Sequence, residues 1–166
     1  MRKVIIVFVI FMGFMDNIMA QNSDYLFMIE NACKAPSGHN TQPWLFKIRE
    51  SEIDIYPDLT KELPVVDPSH RELFVSLGCA TENLCIAAQE KGYQTEVKVI
   101  KDSFIRVLLT KDKKKQFDSS LFSQIAVRQT NRSVYDGKEI PKDSINLLKA
   151  TSNDPSISIY FYKRGT

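Results

Sequence analysis

The chain lacks the patterns that most often mark hydrolytic, metal or nucleotide chemistry. It contains no G-x-S-x-G, no H-E-x-x-H, no G-x-x-x-x-G-K and no G-x-G-x-x-G. Its two histidines, His39 and His70, have no ligand spacing, so no metal centre and no hydrolase are expected. Cysteine is also scarce. Cys33, Cys79 and Cys85 are odd in number and form no C-x-x-C pair, which argues against a disulfide framework and against a zinc site. Cys79 and Cys85 fall inside an apolar helical pattern and read as small buried hydrophobes. The net charge of +2 gives no case for a nucleic-acid-binding surface. The one basic run, Lys111 to Lys115, is broken by Asp112 and reads as a solvated turn. No short repeat and no low-complexity segment is present.

What is there suits an ordinary domain. The chain has 166 residues, 43% hydrophobic and 25% charged, enough for a real core. Residues 1–20 differ from the rest. Arg2 and Lys3 precede an apolar run from Val4 to Met15, and Ala20 offers a small residue before Gln21. That layout is a secretory signal peptide, too short for an ordinary membrane span. It implies an exported, periplasmic or otherwise extracytoplasmic protein. The alternative is a retained N-terminal membrane anchor, because Ile18 occupies a position where a small residue is usual.

Helical periodicity is expected over Asp24–Ala35, capped by Ser23 or Asp24, with Leu26, Ile29 and Cys33 on one face. Trp44–Arg49 reads as a strand. Ile53 and Ile55 alternate with Glu52 and Asp54, which predicts a return strand with one wet face. The longest element follows Asp67-Pro68 and a Ser69-x-x-Glu72 capping box. There Leu73, Leu77, Ala80, Leu84, Ala87 and Ala88 form an apolar stripe, small residues Gly78-Cys79-Ala80-Thr81 invite close approach, and Gly92 closes the helix. Gln94–Ile100 and Phe104–Thr110 alternate as strands. Leu121–Val127 and Pro141–Ala150 read as helices, and Ile157, Ile159 and Phe161 as a last strand.

Two polar clusters stand out. Ser37, His39, Asn40, Thr41 and Gln42 lie between Pro36 and Pro43, which hold the turn between rigid ends. Either this is a solvated loop, or it presents neutral hydrogen bonds to a heteroaromatic edge. Arg128 and Arg132 are four apart and, on a helix, would share a face that grips phosphate. Alternatively they are surface arginines paired with carboxylates.

The run Ala35-Pro36-Ser37-Gly38-His39-Asn40-Thr41-Gln42-Pro43-Trp44-x-Phe46 resembles the A-P-S-x-x-N-x-Q-P-W-x-F signature of the FMN-dependent nitroreductase family. Asp67-Pro68-x-x-Arg71-Glu72-Leu73, then Ser76-x-Gly78-x-Ala80-x-x-Asn83-Leu84, look like the core helix of its two-domain, Acg-type branch. Arg128-x-Thr130-Asn131-Arg132-x-x-Tyr135 resembles the start of a second nitroreductase half. The resemblance implies an α+β fold, with an antiparallel or mixed sheet packed on helices around a long central helix, as an incomplete pseudo-dimer. It divides the chain into a signal peptide at 1–20, a first half at 21–120 and the start of a second, truncated half at 121–166. It implies an FMN-binding oxidoreductase that reduces nitroaromatic or quinone-like acceptors with NADH or NADPH. The alternatives are a flavin-sequestering protein without turnover and an inactive fragment. Ser37, His39, Asn40 and Gln42 would face the flavin ring, and Arg128, Thr130 and Arg132 its phosphate. No catalytic acid or base and no metal ligand is implied. Expected partners are a small-molecule acceptor and either a second copy of the chain or a complementing C-terminal half. Without that cover, a fragment would expose apolar surface on the Leu73–Ala88 helix.

Overall fold

The apolar stripe of the longest helix sets the architecture. In the computed structural model this helix, α2, spans Arg71–Glu90. Leu73, Leu77, Ala80, Leu84, Ala87 and Ala88 are all buried, as their spacing requires of a face turned to a core. The structure describes residues 22–101, 103–112, 120–151 and 155–162. The expected signal segment and most of the basic run at 111–115 lie outside them. Among the described residues, no helix is long and apolar enough to cross a membrane. The chain divides into two units, Met1–Thr130 and Asn131–Thr166.

In the first unit, helical residues 22–32 form α1, and the strands are β1 (Trp44–Ile48), β2 (Glu52–Pro57), β3 (Tyr93–Ile100) and β4 (Phe104–Lys111). They make a four-stranded antiparallel sheet in the order β1-β2-β4-β3. The register pairs Phe46 with Ile55, Ile53 with Val107 and Thr95 with Leu109. Ile53, Ile55, Val107 and Leu109 thus share one sheet face, and they join Tyr25, Met28 and Ala32 of α1 and the α2 stripe in a single core. A short helix, α3 (Phe122–Val127), packs through Phe122 against Phe27, with ring centroids 5.5 Å apart, and buries Ile125. The fold is α+β, with helices on an antiparallel sheet and a long central helix, as expected.

Several local expectations change. The buried face of α1 is Tyr25, Met28 and Ala32, whereas Leu26 is 55% exposed. Asp24 does not cap α1. It lies within the helix and accepts from the Tyr93 hydroxyl at 3.1 Å and Lys111 Nζ at 2.8 Å. The α2 stripe is covered by the sheet, and the apolar surface that α2 does expose is Phe74 and Val75, each about half exposed. In the second unit α4 covers Lys142–Lys149 and buries no residue. The expected strand at Ile157–Phe161 is not formed: the described residues there are in no ladder. Alternation alone cannot make a strand without a neighbour to complete its hydrogen bonds.

The largest departure concerns β2. Asp54 was expected on a wet face, yet it is fully buried. β2 is an inner strand, flanked by β1 and β4, and two arginines close over its polar face. Arg106 Nε meets Asp54 Oδ1 at 2.7 Å, and Arg49 Nε meets Oδ2 at 2.8 Å. Glu52 adds a second carboxylate, 3.1 Å from Arg106 and 3.2 Å from Arg49. The Arg106 hydrogen bond holds the Asp54 carboxyl below the usual range, against the opposing pull of burial, with Arg49 adding to it. A buried carboxylate with its guanidiniums removed would be strongly unfavourable.

Two outcomes follow. Asp54→Asn is expected to lose about 3 kcal/mol in urea unfolding at pH 7. Because the folded carboxyl titrates below its ordinary value, its stabilisation is complete above about pH 4 and fades as pH falls through the lower folded value. Wild-type stability should therefore decline across that acid window, and the decline should be smaller in Asp54→Asn. Gly78 lies on the exposed side of α2, with no atom within 4 Å of an added Cβ. Gly78→Ala should stabilise the isolated chain by about 1 kcal/mol through helix propensity, read from the same unfolding curves.

Candidate functional site

The polar turn joins α1 to β1 and is anchored at both ends. Pro43 is fully buried, and Ala35 and Trp44 are buried beside it in sequence. Gly38–Asn40 forms a single turn of 3-10 helix. Its backbone is unusual: φ is 49° at His39, 58° at Asn40 and 51° at Gln42. Side-chain-bearing residues seldom adopt this left-handed region, and clusters of such residues favour functional sites.

Hydrogen bonds hold the conformation. Gln42 N donates to Ser37 Oγ at 3.0 Å and Thr41 Oγ1 donates to the Gly38 carbonyl at 3.0 Å. Gly38 N donates to Ser76 Oγ of α2 at 3.2 Å, and Lys61 Nζ donates to the Gln42 carbonyl at 3.2 Å. Ser37 therefore shapes the turn, and its hydroxyl proton is what it retains for a ligand. The side chains of His39, Asn40 and Gln42 are exposed and meet no hydrogen-bonding partner among the described residues. The backbone is thus locked while three donor–acceptor side chains face solvent.

The connector after β2 packs beneath the turn. Leu63 lies 3.5 Å from the position of a Cβ on Gly38. Between Gly38, Leu63, Glu72 and Ser76 is a cavity of about 10 Å³, room for about one water. The surface is open, so a ligand of flavin size would rest on the turn and need a second surface to cover it.

The start of α2 is built differently from expectation. Ser69 and Glu72 form no capping box. His70 holds the cap position at φ 59° without a side-chain capping bond. Asp67 does that work from further back: its Oδ2 accepts from Leu73 N at 2.9 Å. Burial raises the Asp67 pKa, but backbone N–H groups of Leu73, Glu72 and Arg71 outweigh it and hold the carboxyl below its ordinary value. His70 Nε2 lies 2.8 Å from Glu62 Oε2 and ties the connector to this helix start.

Residues 128–132 are not helical, so the shared helical face is absent. Arg128 nevertheless reaches the end of α1, just before the turn. Its Nη2 donates to the Lys34 carbonyl at 3.3 Å, across 94 residues of sequence, and Nη1 lies 3.5 Å from Thr130 Oγ1. The docking of α3 through Phe122 and Ile125 accounts for its position. Arg132 lies in the second unit and is exposed. Sequence reading placed Ser76 in the core-helix signature without a role and missed Lys61. A serine in an apolar stripe and a lysine in a connector carry no signal until the fold brings them to the turn. Among the described residues no cluster of potential metal ligands exists.

These features define an α+β domain with a strained, solvent-facing polar turn and a guanidinium at its entrance. No family model matches the chain. Over 124 residues it is 31% identical to the "Putative NAD(P)H nitroreductase Rv3131" of Mycobacterium tuberculosis (strain ATCC 25618 / H37Rv), covering 72% of this chain and 36% of that protein. It is 29% identical over 69 residues to the "Putative NAD(P)H nitroreductase acg" of the same strain, covering 42% of this chain and 21% of that protein. A third relative, "Uncharacterized protein Rv3127", is 29% identical over 70 residues, covering 40% and 20% respectively. The chain is thus related to the nitroreductase family, with Acg among its relatives, and it spans about a third of the length of the first of them.

The capping assignment is directly testable. Asp67→Ala should lower the thermal midpoint clearly, whereas Ser69→Ala should leave it nearly unchanged. Equal effects would restore the capping box.

Proposed function

We propose that this protein is an FMN-binding oxidoreductase of nitroreductase type, using NADH or NADPH to reduce nitroaromatic or quinone-like acceptors. The observation that carries the reading is the return of Arg128 to the base of the polar turn. It sets a cation for phosphate near the start of a turn of neutral groups suited to a ring edge, and the relatives' names support the nitroreductase part of the reading. The exposed donor set fits FMN. His39, Asn40 and Gln42 would meet the ring edge, with the Ser37 hydroxyl proton beside them, and Arg128 and Thr130 the phosphate. The bound flavin would supply the electron-transfer chemistry. The chain's residues bind and orient it, and no residue acts as acid or base. The open surface is the part a second copy, or a complementing C-terminal half in a pseudo-dimer, would cover. We also propose that residues 1–20 direct export, which requires an electron donor available outside the cytoplasm or flavin loading before export.

The test is titration of the purified protein with FMN, followed by fluorescence quenching. Saturable quenching supports the reading, and absence of both flavin absorbance and FMN uptake ends it. Arg128→Gln should weaken FMN about tenfold or more, the worth of a charge-assisted hydrogen bond, and leave riboflavin binding unchanged. Anaerobic NADH or NADPH should bleach the bound flavin. An unchanged spectrum would assign the alternative, a flavin-holding protein without turnover.

A further inference from the structure

We infer that Ser76 is a positioning residue for the ring-facing turn, a role that rests on the flavin reading above. Ser76 is 3% exposed and sits on α2 between the core residues Leu73 and Leu77. Its hydroxyl donates to the Glu72 carbonyl at 2.7 Å, one helical turn back. That bond fixes the proton and aims the oxygen outward, where it accepts from Gly38 N at 3.2 Å. One buried hydroxyl thus relays the rigid helix to the middle of the signature turn.

The other bonds of the turn do a different job. Ser37 Oγ with Gln42 N, and Thr41 Oγ1 with the Gly38 carbonyl, both start and end within the turn. They preserve its shape but would travel with it. Lys61 ties it to a connector, through a side chain about half exposed. Ser76 is tied to the core, so it sets where the turn stands. Positive φ at His39, Asn40 and Gln42 makes this placement matter, since a turn in a sparsely populated conformation persists only when its surroundings over-determine it. Small displacements of binding groups cost large factors in recognition.

The adjoining cavity of about 10 Å³ predicts how a variant behaves. In Ser76→Ala a water can satisfy Gly38 N, so the chain folds, yet a water does not hold the turn to α2. Amide hydrogen exchange of the flavin-free chain is the first measurement. Ser76→Ala should speed exchange at Gly38 and Gln42 about tenfold, the equivalent of one hydrogen bond, and leave Leu77–Leu84 unchanged. The second is flavin titration. Affinities for FMN and riboflavin should fall together, about tenfold each, unlike the phosphate-selective loss in Arg128→Gln. Ser76→Thr, which keeps the hydroxyl, should restore both readouts.

Unchanged exchange at Gly38 overturns the inference, as does faster exchange throughout α2, which would make Ser76 a general stabiliser. Faster turn exchange with unaltered flavin affinity overturns it as well. If the wild-type chain takes up no flavin, the flavin reading fails, and the exchange result alone decides whether Ser76 holds the turn.

Discussion

Burial of the α2 stripe against the sheet is the constraint on which the first unit depends. Six apolar positions of one helix close over Ile53, Ile55, Val107 and Leu109, and α1 completes the same core through Tyr25, Met28 and Ala32. Hydrophobic burial is non-directional, so it fixes proximity rather than orientation. Directional contacts do the rest. Asn83 of α2 donates to the Asn31 carbonyl of α1 at 3.2 Å, and Ser76 meets Gly38. One helix therefore carries both the core and the registration of the polar turn.

The opposite sheet face is organised by charge. Asp54 lies on the central strand β2, and two guanidiniums from β1's end and from β4 close on it. Tyr56 and Phe104 stack at 4.7 Å beside this network, and Arg106 lies over Phe104. A face polar in sequence is thus dry around one carboxylate. Such a network adds less net stability than its contacts suggest, because desolvation opposes the Coulombic gain. Removing one partner is costly for the same reason. Cys85, by contrast, is a passive core residue: burial pushes its thiol up to about 11, which leaves it protonated and unreactive near neutral pH.

The turn shows how a site can be rigid and open at once. The amides of Gly38, Asn40, Thr41 and Gln42 are all engaged, by Ser76, by Ser37 and by the Gly38 carbonyl, and Lys61 holds the Gln42 carbonyl, so the turn's strained φ values are braced from several sides. Its amide and imidazole side chains are left over. Preorganisation of this kind lowers the entropic cost of binding. Arg128 is brought to the Lys34 carbonyl, at the end of α1, by the packing of Phe122 and Ile125.

By itself the sequence determined the α2 stripe, the strands read at Trp44–Arg49, around Ile53 and Ile55, at Gln94–Ile100 and at Phe104–Thr110, and the turn between Pro36 and Pro43. These are local patterns of period 3.6 and 2, or backbone restrictions of proline, and they survive in any context that supplies a core. Only the tertiary structure decided that Asp54 is buried, because strand order makes β2 an inner strand and delivers Arg106 from 52 residues away. It also decided that Asp67 rather than Ser69 serves the start of α2, and that Ile157–Phe161 stays unpaired in the described residues. The Arg128 contact with Lys34 and the Ser76 contact with Gly38 belong to the same class. Each joins residues far apart in sequence, and a pairing of that kind is set by which surfaces meet, a quantity no local periodicity encodes.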